Sequence, residues 1–189
     1  MGDKVNDKVV ATLLGCCLFV VAREGFAHRL DEYLQATRIA IATNRIDLTF
    51  ELTPGVAIAG QVLELIDLDR DRSISDDEGN AYARRFMKDL NINLDGKAVV
   101  PDMTSVSFPV VQEMRSGTGV IRIRATSAVG PMAVGSHGLS LTNGHLPAIS
   151  VYLVNALRSS DTVVEIGKQT RDELQKDYRL EFQVRHGAP

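Results

Sequence analysis

The sequence predicts a mainly β chain, folded as an immunoglobulin-like β-sandwich with one inserted helix–loop–helix element. Three observations predict this class. Short stretches of alternating apolar and polar residues recur along the chain, and turn-forming Gly, Pro, Asp and Asn separate them. One region, residues 55–90, changes instead to helical spacing. A length of 189 residues with a net charge of −3 fits one compact domain.

The first 27 residues have the pattern of a secretory signal peptide. Lys4 and Lys8 precede an apolar run at 9–22, which is short for a membrane span, and small residues follow it. We expect cleavage after Ala27, with cleavage after Ala22 as the alternative. An uncleaved membrane anchor is a further alternative.

The mature chain is then residues 28–189, a single β-sandwich domain with the helical insertion at 55–90. Both cysteines, Cys16 and Cys17, lie within the predicted signal peptide, and a lipoprotein processed at Cys16 is another alternative. Export without disulfides indicates the bacterial envelope, as a periplasmic or secreted protein. No second apolar run follows, so the mature chain is not expected to span a membrane.

Strand patterns lie on both sides of the helical region. Residues 38–42 and 45–52 alternate around Thr43-Asn44, which predicts a hairpin. Asp95-Gly96 supplies the positive φ of a type I′ turn and predicts a second hairpin. Further strands are predicted at 103–113, 120–126, 139–143, 147–154, 162–169 and 177–184.

The inserted region predicts two helices around an acidic loop. Pro54 suits the start of the first helix, whose apolar residues from Val56 to Ile66 follow helical spacing. Tyr82, Phe86 and Leu90 repeat every four residues and predict the second helix. The loop therefore lies in the context that a calcium-binding hand requires.

The loop itself, "DLDRDRSISDDE" at 67–78, predicts a calcium site. Calcium takes six to eight oxygen ligands, and a twelve-residue hand supplies them at fixed positions. The predicted ligands are Asp67, Asp69, Asp71, the carbonyl of Ser73, Ser75 through a water, and Glu78 as a bidentate carboxylate. Arg72 stands at the sixth position, where positive φ favours glycine, and costs roughly 1 kcal/mol. The alternative is a solvated acidic connection without a metal.

Three histidines form a second candidate metal site. After cleavage, the amine and imidazole of His28 suit nickel, cobalt or copper, and His137 and His145 lie near each other in sequence. The alternative is that these are three separate surface histidines, because a metal site needs convergent ligands.

Several functional classes have no support in the sequence. A nucleic-acid surface needs a concentrated basic patch, which the mixed charges do not form. Walker, dinucleotide-binding, nucleophile-elbow and zinc-protease motifs are missing from the sequence. We therefore expect a binding protein and not an enzyme.

Four stretches, "AHRLDEYLQAT", "DLDRDRSISDDE", "LDGK" and "GHLPAISVYLVNA", carry a family resemblance. The chain resembles uncharacterised exported bacterial proteins that contain an EF-hand, and more distantly the N-terminal periplasmic domain of nickel/cobalt permeases. It has Arg29 where the permease domain tends to have proline, and it lacks the polytopic permease itself. The resemblance implies an exported calcium-binding module with a structural or interaction role, beside an envelope membrane protein such as a metal permease. The alternative is a periplasmic transition-metal accessory protein that uses the N-terminal histidine.

Overall fold

A computed structural model describes residues 31–186, and the predicted signal peptide and His28 lie outside them. Strands make up 47% and helices 15% of these residues, which confirms the mainly β prediction. The strands are β1 (Tyr33–Ala42), β2 (Arg45–Pro54), β3 (Leu90–Leu94), β4 (Lys97–Ala98), β5 (Asp102–Ser107), β6 (Ile121–Ala128), β7 (Gly135–Asn143), β8 (Ser150–Ala156), β9 (Val164–Arg171) and β10 (Asp177–Val184). The helices are α1 (Ala59–Glu64), α2 (Asp76–Lys88) and α3 (Val111–Arg115).

The first sheet has five strands in the order β5-β6-β2-β1-β8. β1 and β2 form the predicted antiparallel hairpin, in which Ala42 lies opposite Arg45 across the Thr43-Asn44 turn. β8 pairs with β1 in parallel, so the chain returns to this sheet from the second one. The predicted hairpin of β1 and β2 is therefore confirmed. β8 extends the sheet beside β1, and β6 and β5 extend it beside β2.

The second sheet has the order β4-β3-β7-β10-β9, and its neighbouring strands are antiparallel. Asp95 and Gly96 join β3 to β4 with φ values of 51° and 76°. Positive φ at both central residues is what a type I′ turn requires, so the second predicted hairpin is confirmed.

The core lies between the two sheets, where alternate residues of each strand are buried. Phe50 on β2 and Phe182 on β10 are almost completely buried, and both belong to one apolar cluster. The helical segment between β2 and β3 joins this cluster, since Phe86 of α2 packs edge-to-face on Phe50 with centroids 5.0 Å apart. The β-sandwich prediction is confirmed; the EF-hand character of the inserted segment stays a prediction.

The first strand is longer than predicted. Its first half was missed because polar residues lie on its buried face. β1 begins at Tyr33 and not at 38, and Gln35 and Thr37 point inward with exposures of 0% and 2%. Gln35 donates its side-chain amide to the carbonyl oxygen of His145 at 3.0 Å, and its Oε1 accepts from the side-chain Nδ2 of Asn143 at 2.9 Å. These distant partners satisfy the buried amide, and a search for apolar alternation does not detect such a strand.

The strand predicted at 103–113 is wrong in its second half. β5 ends at Ser107, and the chain then forms the short helix α3. Pro109 has no N–H to donate to a strand ladder, so the apolar residues after it are free to form a helical turn.

The predicted helix start at Pro54 is also wrong. Pro54 is the last residue of β2, where it lies opposite Tyr33 of β1. The pairing of β2 with β6 has already ended at Leu52, so no neighbour on that side needs the missing N–H. α1 begins at Ala59 and has only 6 residues.

Candidate metal site

The acidic loop connects α1 to α2 and ends in a well-formed helix start. Ser75 is the N-cap of α2, with extended backbone angles, and forms a capping box with Glu78. Asp76, Asp77 and Glu78 fill the first turn, where negative charge is favourable at the helix N-terminus. The position of the loop's last residues is therefore fixed by the helix that follows.

Three aspartates of the loop converge. Asp67, Asp69 and Asp71 each offer a carboxylate oxygen, and these oxygens lie within 4.8 Å of one another. In an extended strand, alternate residues point to the same side but lie about 6.6 Å apart, which would separate Asp67 from Asp71 by about 13 Å. Their convergence therefore requires the loop to curl. The curl comes from the backbone, because φ is +62° at Arg70 and +69° at Arg72. The sequence predicted the strain at Arg72 but gave no signal for Arg70.

The loop backbone holds one oxygen of each aspartate. Asp67 Oδ2 accepts from the Arg72 amide at 3.1 Å, and Asp69 Oδ1 accepts from the Asp71 amide at 3.1 Å. Asp71 Oδ1 accepts from the Ser73 amide at 2.7 Å. Each carboxylate is thus oriented by the chain, and its second oxygen is left for another partner.

The second oxygen of Asp67 has an unusual environment. Among the described residues, Asp67 Oδ1 is buried and has no hydrogen-bond partner. A buried polar atom without a partner costs about 1–3 kcal/mol, and more when it belongs to a charged group. Asp67 is one of the three converging aspartates, so a cation that binds this oxygen would satisfy it.

Glu78 closes the loop through hydrogen bonds at both oxygens. Its Oε1 accepts from the Leu68 amide at 2.7 Å, and its Oε2 accepts from the Ser75 amide at 3.0 Å and hydroxyl at 2.7 Å. The bonds from Ser75, followed by that from Leu68, lower the pKa of Glu78 to about 2. Glu78 is not in the group of three, but a carboxylate has about four lone-pair positions and can accept further partners.

The two predicted serine ligands lie at the same end of the loop. Ser73 donates its amide to Asp71, and Ser75 caps α2. Of the six predicted ligands, the structure therefore brings three carboxylates together, and Ser75 and Glu78 contact each other at the end of the loop.

Helix α2 connects the loop to a buried polar chain that the sequence did not reveal. The hydroxyl oxygens of Tyr82 and Tyr33 are 2.7 Å apart, and Tyr82 also lies 3.0 Å from His145 Nε2. His145 Nδ1 contacts Asp89 Oδ2 at 2.6 Å, just after the end of α2. This chain links α2 with β1 and with the connection that precedes β8.

His145 is not a surface histidine. Its side chain is 0% exposed, and burial lowers its pKa, against the opposing effect of Asp89. Both ring nitrogens are in hydrogen-bond contact, with Asp89 and with Tyr82. The sequence carries no signal of this burial, because His145 follows the polar end of β7 and the residues that cover its ring, Tyr82 and Phe86, come from α2.

His137 has a separate environment on β7. Its Nδ1 lies 2.7 Å from Asp95 Oδ2, its Nε2 lies 2.8 Å from the Ala133 carbonyl oxygen, and its ring stacks on Phe182. Among residues 31–186, no group of three metal-ligating side chains contains His137 or His145. We do not include either histidine in the proposed ligand set, and His28 lies outside the described residues.

Within residues 31–186, no helix is both long and apolar enough to cross a membrane. No protein-family model, curated protein or solved structure matches this chain.

Proposed function

We propose that the chain is an exported calcium-binding module of the bacterial envelope, with a structural or interaction role. The ion would bind in the loop at 67–78. The proposed ligands are Asp67, Asp69, Asp71, the carbonyl of Ser73, Ser75 through a water, and Glu78. The observation that carries the proposal is the buried Oδ1 of Asp67, which has no hydrogen-bond partner among the described residues and belongs to one of three converging aspartates.

Electrostatics favours a cation at this point. Two unit negative charges about 4.8 Å apart repel by on the order of 1 kcal/mol in water, and by more near a protein surface. Three such pairs arise among Asp67, Asp69 and Asp71. Arg70 and Arg72 belong to the same loop but have no ion pair with these aspartates among the described residues. A bound divalent cation would replace the repulsion with attraction.

The donor set favours calcium over other divalent cations. It consists of oxygens alone, which suits hard cations and not nickel or copper. Six ligands with a bidentate Glu78 give about seven oxygens, which exceeds the octahedral preference of magnesium. The two loop arginines reduce the negative potential, so we expect the weak affinity class of extracellular modules, about 10⁻⁴ to 10⁻³ M.

The expected role of the ion is structural. It would fix the connection from α1 to α2 and so stabilise the start of α2. The resemblance described above implies an envelope membrane protein, such as a metal permease, as the class of partner. Nothing in the site geometry calls for a catalytic role.

Isothermal titration calorimetry on residues 28–189 tests the proposal. We expect one calcium ion to bind, magnesium to bind more weakly, and nickel to give no heat from this loop. Asp67→Asn keeps the size of the side chain but removes the charge, and it should weaken calcium binding at least tenfold. Asp77→Asn is the matched control, because it removes the same charge from the first turn of α2 without changing a proposed ligand.

The outcomes separate the proposal from its alternatives. Calcium at ten times its Kd should raise the free energy of unfolding by about 1.4 kcal/mol in the parent and in Asp77→Asn. Equal calcium responses in Asp67→Asn and Asp77→Asn would mean that the loop attracts cations only through its net charge. No response at 10 mM calcium, roughly tenfold above the expected range, would leave the solvated acidic connection as the correct interpretation.

A further inference from the structure

His145, which is buried, and His137, whose side chain is 11% exposed, differ in what their ring nitrogens contact. His145 lies between a carboxylate and a hydroxyl, and a hydroxyl either donates or accepts. A neutral His145 therefore satisfies both contacts, with a proton on Nδ1 for Asp89 and with Tyr82 donating to Nε2. His137 has no such freedom.

Both partners of His137 only accept hydrogen bonds. Nδ1 lies 2.7 Å from a carboxylate oxygen of Asp95, and Nε2 lies 2.8 Å from the carbonyl oxygen of Ala133. A neutral imidazole has one N–H, so one of its nitrogens would place a lone pair against an oxygen lone pair. Only the doubly protonated ring donates to both partners.

The position of Asp95 is fixed independently of the histidine. Asp95 lies in the β3–β4 turn, and its Oδ1 accepts from the Gly138 amide at 2.8 Å. Its own amide donates to the Gly138 carbonyl oxygen at 2.8 Å. The carboxylate is therefore held against β7 by the backbone, and Oδ2 is presented to the ring of His137.

Ala133 belongs to the connection between β6 and β7, which is attached to the first sheet. In this connection the amide of Val129 donates to the carbonyl oxygen of Asn44 at 3.0 Å. The amide of Met132 donates to the carbonyl oxygen of Thr43 at 2.8 Å. His137 thus joins the turn at the edge of the second sheet to a segment that is bonded to the β1–β2 turn. A cleft of about 400 Å³ lies beside this junction.

We infer that His137 is held as an imidazolium and forms a pH-dependent clamp between the β3–β4 turn and the β6–β7 connection. Besides His137, the charged residues that line the cleft are Asp95 and Lys97. When the ring loses its second proton, one of the two hydrogen bonds is lost and the β6–β7 connection is released. This clamp is independent of the proposed calcium loop.

The direction of the pH dependence follows from the surroundings of the ring. The hydrogen bonds to Asp95 and Ala133 raise the pKa of His137 above its ordinary value of 6.5. A group with a raised folded pKa contributes its full stabilisation below the unfolded value, and this contribution is lost as pH rises through the folded value. The clamp is therefore closed in mildly acidic solution and opens as pH rises through the folded pKa of His137, which lies above 6.5.

NMR on the protein purified from expression of the whole chain tests the clamp. We expect the imidazole of His137 to titrate with a pKa above 6.5. The protection factors of the Val129 and Met132 amides, corrected for intrinsic exchange, should fall about tenfold above the folded pKa, since a hydrogen bond to a charged group contributes at least this factor. His186→Gln is the control, because it removes an exposed histidine outside the clamp and should keep both effects.

Asp95→Asn is the decisive variant. Asn-Gly forms type I′ turns readily, the side-chain oxygen still accepts from Gly138, and the side-chain amide donates to a neutral His137. The protection factors should then no longer depend on pH. His137→Gln has no charge to lose, so its protection factors should also be independent of pH. This variant replaces Asp95→Asn in the test if Asp95→Asn folds poorly. A His137 pKa at or below 6.5, or equal pH profiles in the parent and in either variant, would overturn the inference.

Discussion

Removal of the hydroxyl of Tyr82 should destabilise the protein far more than its small volume suggests. In Tyr82→Phe, the ring still packs between Phe108 and His145, with which it makes edge-to-face contacts at 6.1 and 5.4 Å. The hydroxyl of Tyr33 and the Nε2 of His145 then lose the one hydrogen-bond partner that each has within residues 31–186. Both groups are buried, with side chains at 0% exposure.

The magnitude follows from these two groups. A buried polar atom left without a partner costs about 1–3 kcal/mol, so two of them give a loss of about 2–6 kcal/mol in the free energy of unfolding. A water that entered the space left by the hydroxyl would recover part of this cost.

Tyr178→Phe provides a matched comparison. Tyr178 is 1% exposed and donates to Gln169 Oε1 at 2.8 Å. That oxygen also accepts from Arg171 at 3.1 Å and from the Ala156 amide at 3.3 Å, so it remains satisfied after the substitution. The same atom is deleted from an equally buried tyrosine, but the expected loss is only about 1 kcal/mol.

Urea unfolding at fixed pH, with chelator present, measures both losses from the transition midpoints. The double variant Tyr33→Phe/Tyr82→Phe adds a test of the mechanism. It leaves only His145 without a partner, so its loss should be smaller than the sum of the two single losses. Equal losses in Tyr82→Phe and Tyr178→Phe, or additivity in the double variant, would refute the reasoning.

Three further predictions concern other contacts. Gly79→Ala should destabilise by about 1–3 kcal/mol, although alanine favours helices, because the new Cβ would lie 2.8 Å from a ring carbon of Phe108; a raised melting temperature would contradict this. The hydrogen bonds of Glu78 should stabilise the loop fully above pH 4.5, and this stabilisation should be lost as pH falls through the folded pKa of about 2. An ordinary pKa for the Glu78 carboxyl in an NMR titration would contradict this. Arg171→Ala should cost about 1 kcal/mol in chemical unfolding, because two guanidinium donors bond the Val154 carbonyl oxygen at 2.9 and 2.7 Å; an unchanged midpoint would show that water replaces them.

The sequence predicted the strands whose inward residues are apolar and missed the parts where they are polar. On β10, Tyr178, Leu180, Phe182 and Val184 are all buried, and this strand was predicted with its observed bounds. On β1, the buried Gln35 interrupts the apolar pattern. Its partners lie more than 100 positions away in sequence, so local periodicity carries no trace of them.

The candidate site divides in the same way. The spacing of Asp67, Asp69 and Asp71 predicted their convergence, because a hand places its ligands at alternate positions. Arg72 was predicted to have positive φ, and it does. The buried oxygen of Asp67 was not predictable, since burial of one atom depends on how the loop folds and not on the ligand spacing.

The attachment of α2 favours a structural ion over a calcium switch. A sensor exposes an apolar groove when its helices swing apart, which requires that the exit helix be free to move. Here α2 is held at three points along its 13 residues: Gly79 lies against Phe108, Tyr82 bonds to Tyr33, and Phe86 packs on Phe50. Reorientation of α2 would break a buried hydrogen-bond chain and an aromatic contact of the core. Calcium binding should therefore slow hydrogen exchange in the loop and the first turn of α2, and leave exchange in the two sheets unchanged. Slower or faster exchange spread over β1 and β2 would show instead that α2 transmits the binding event into the sandwich.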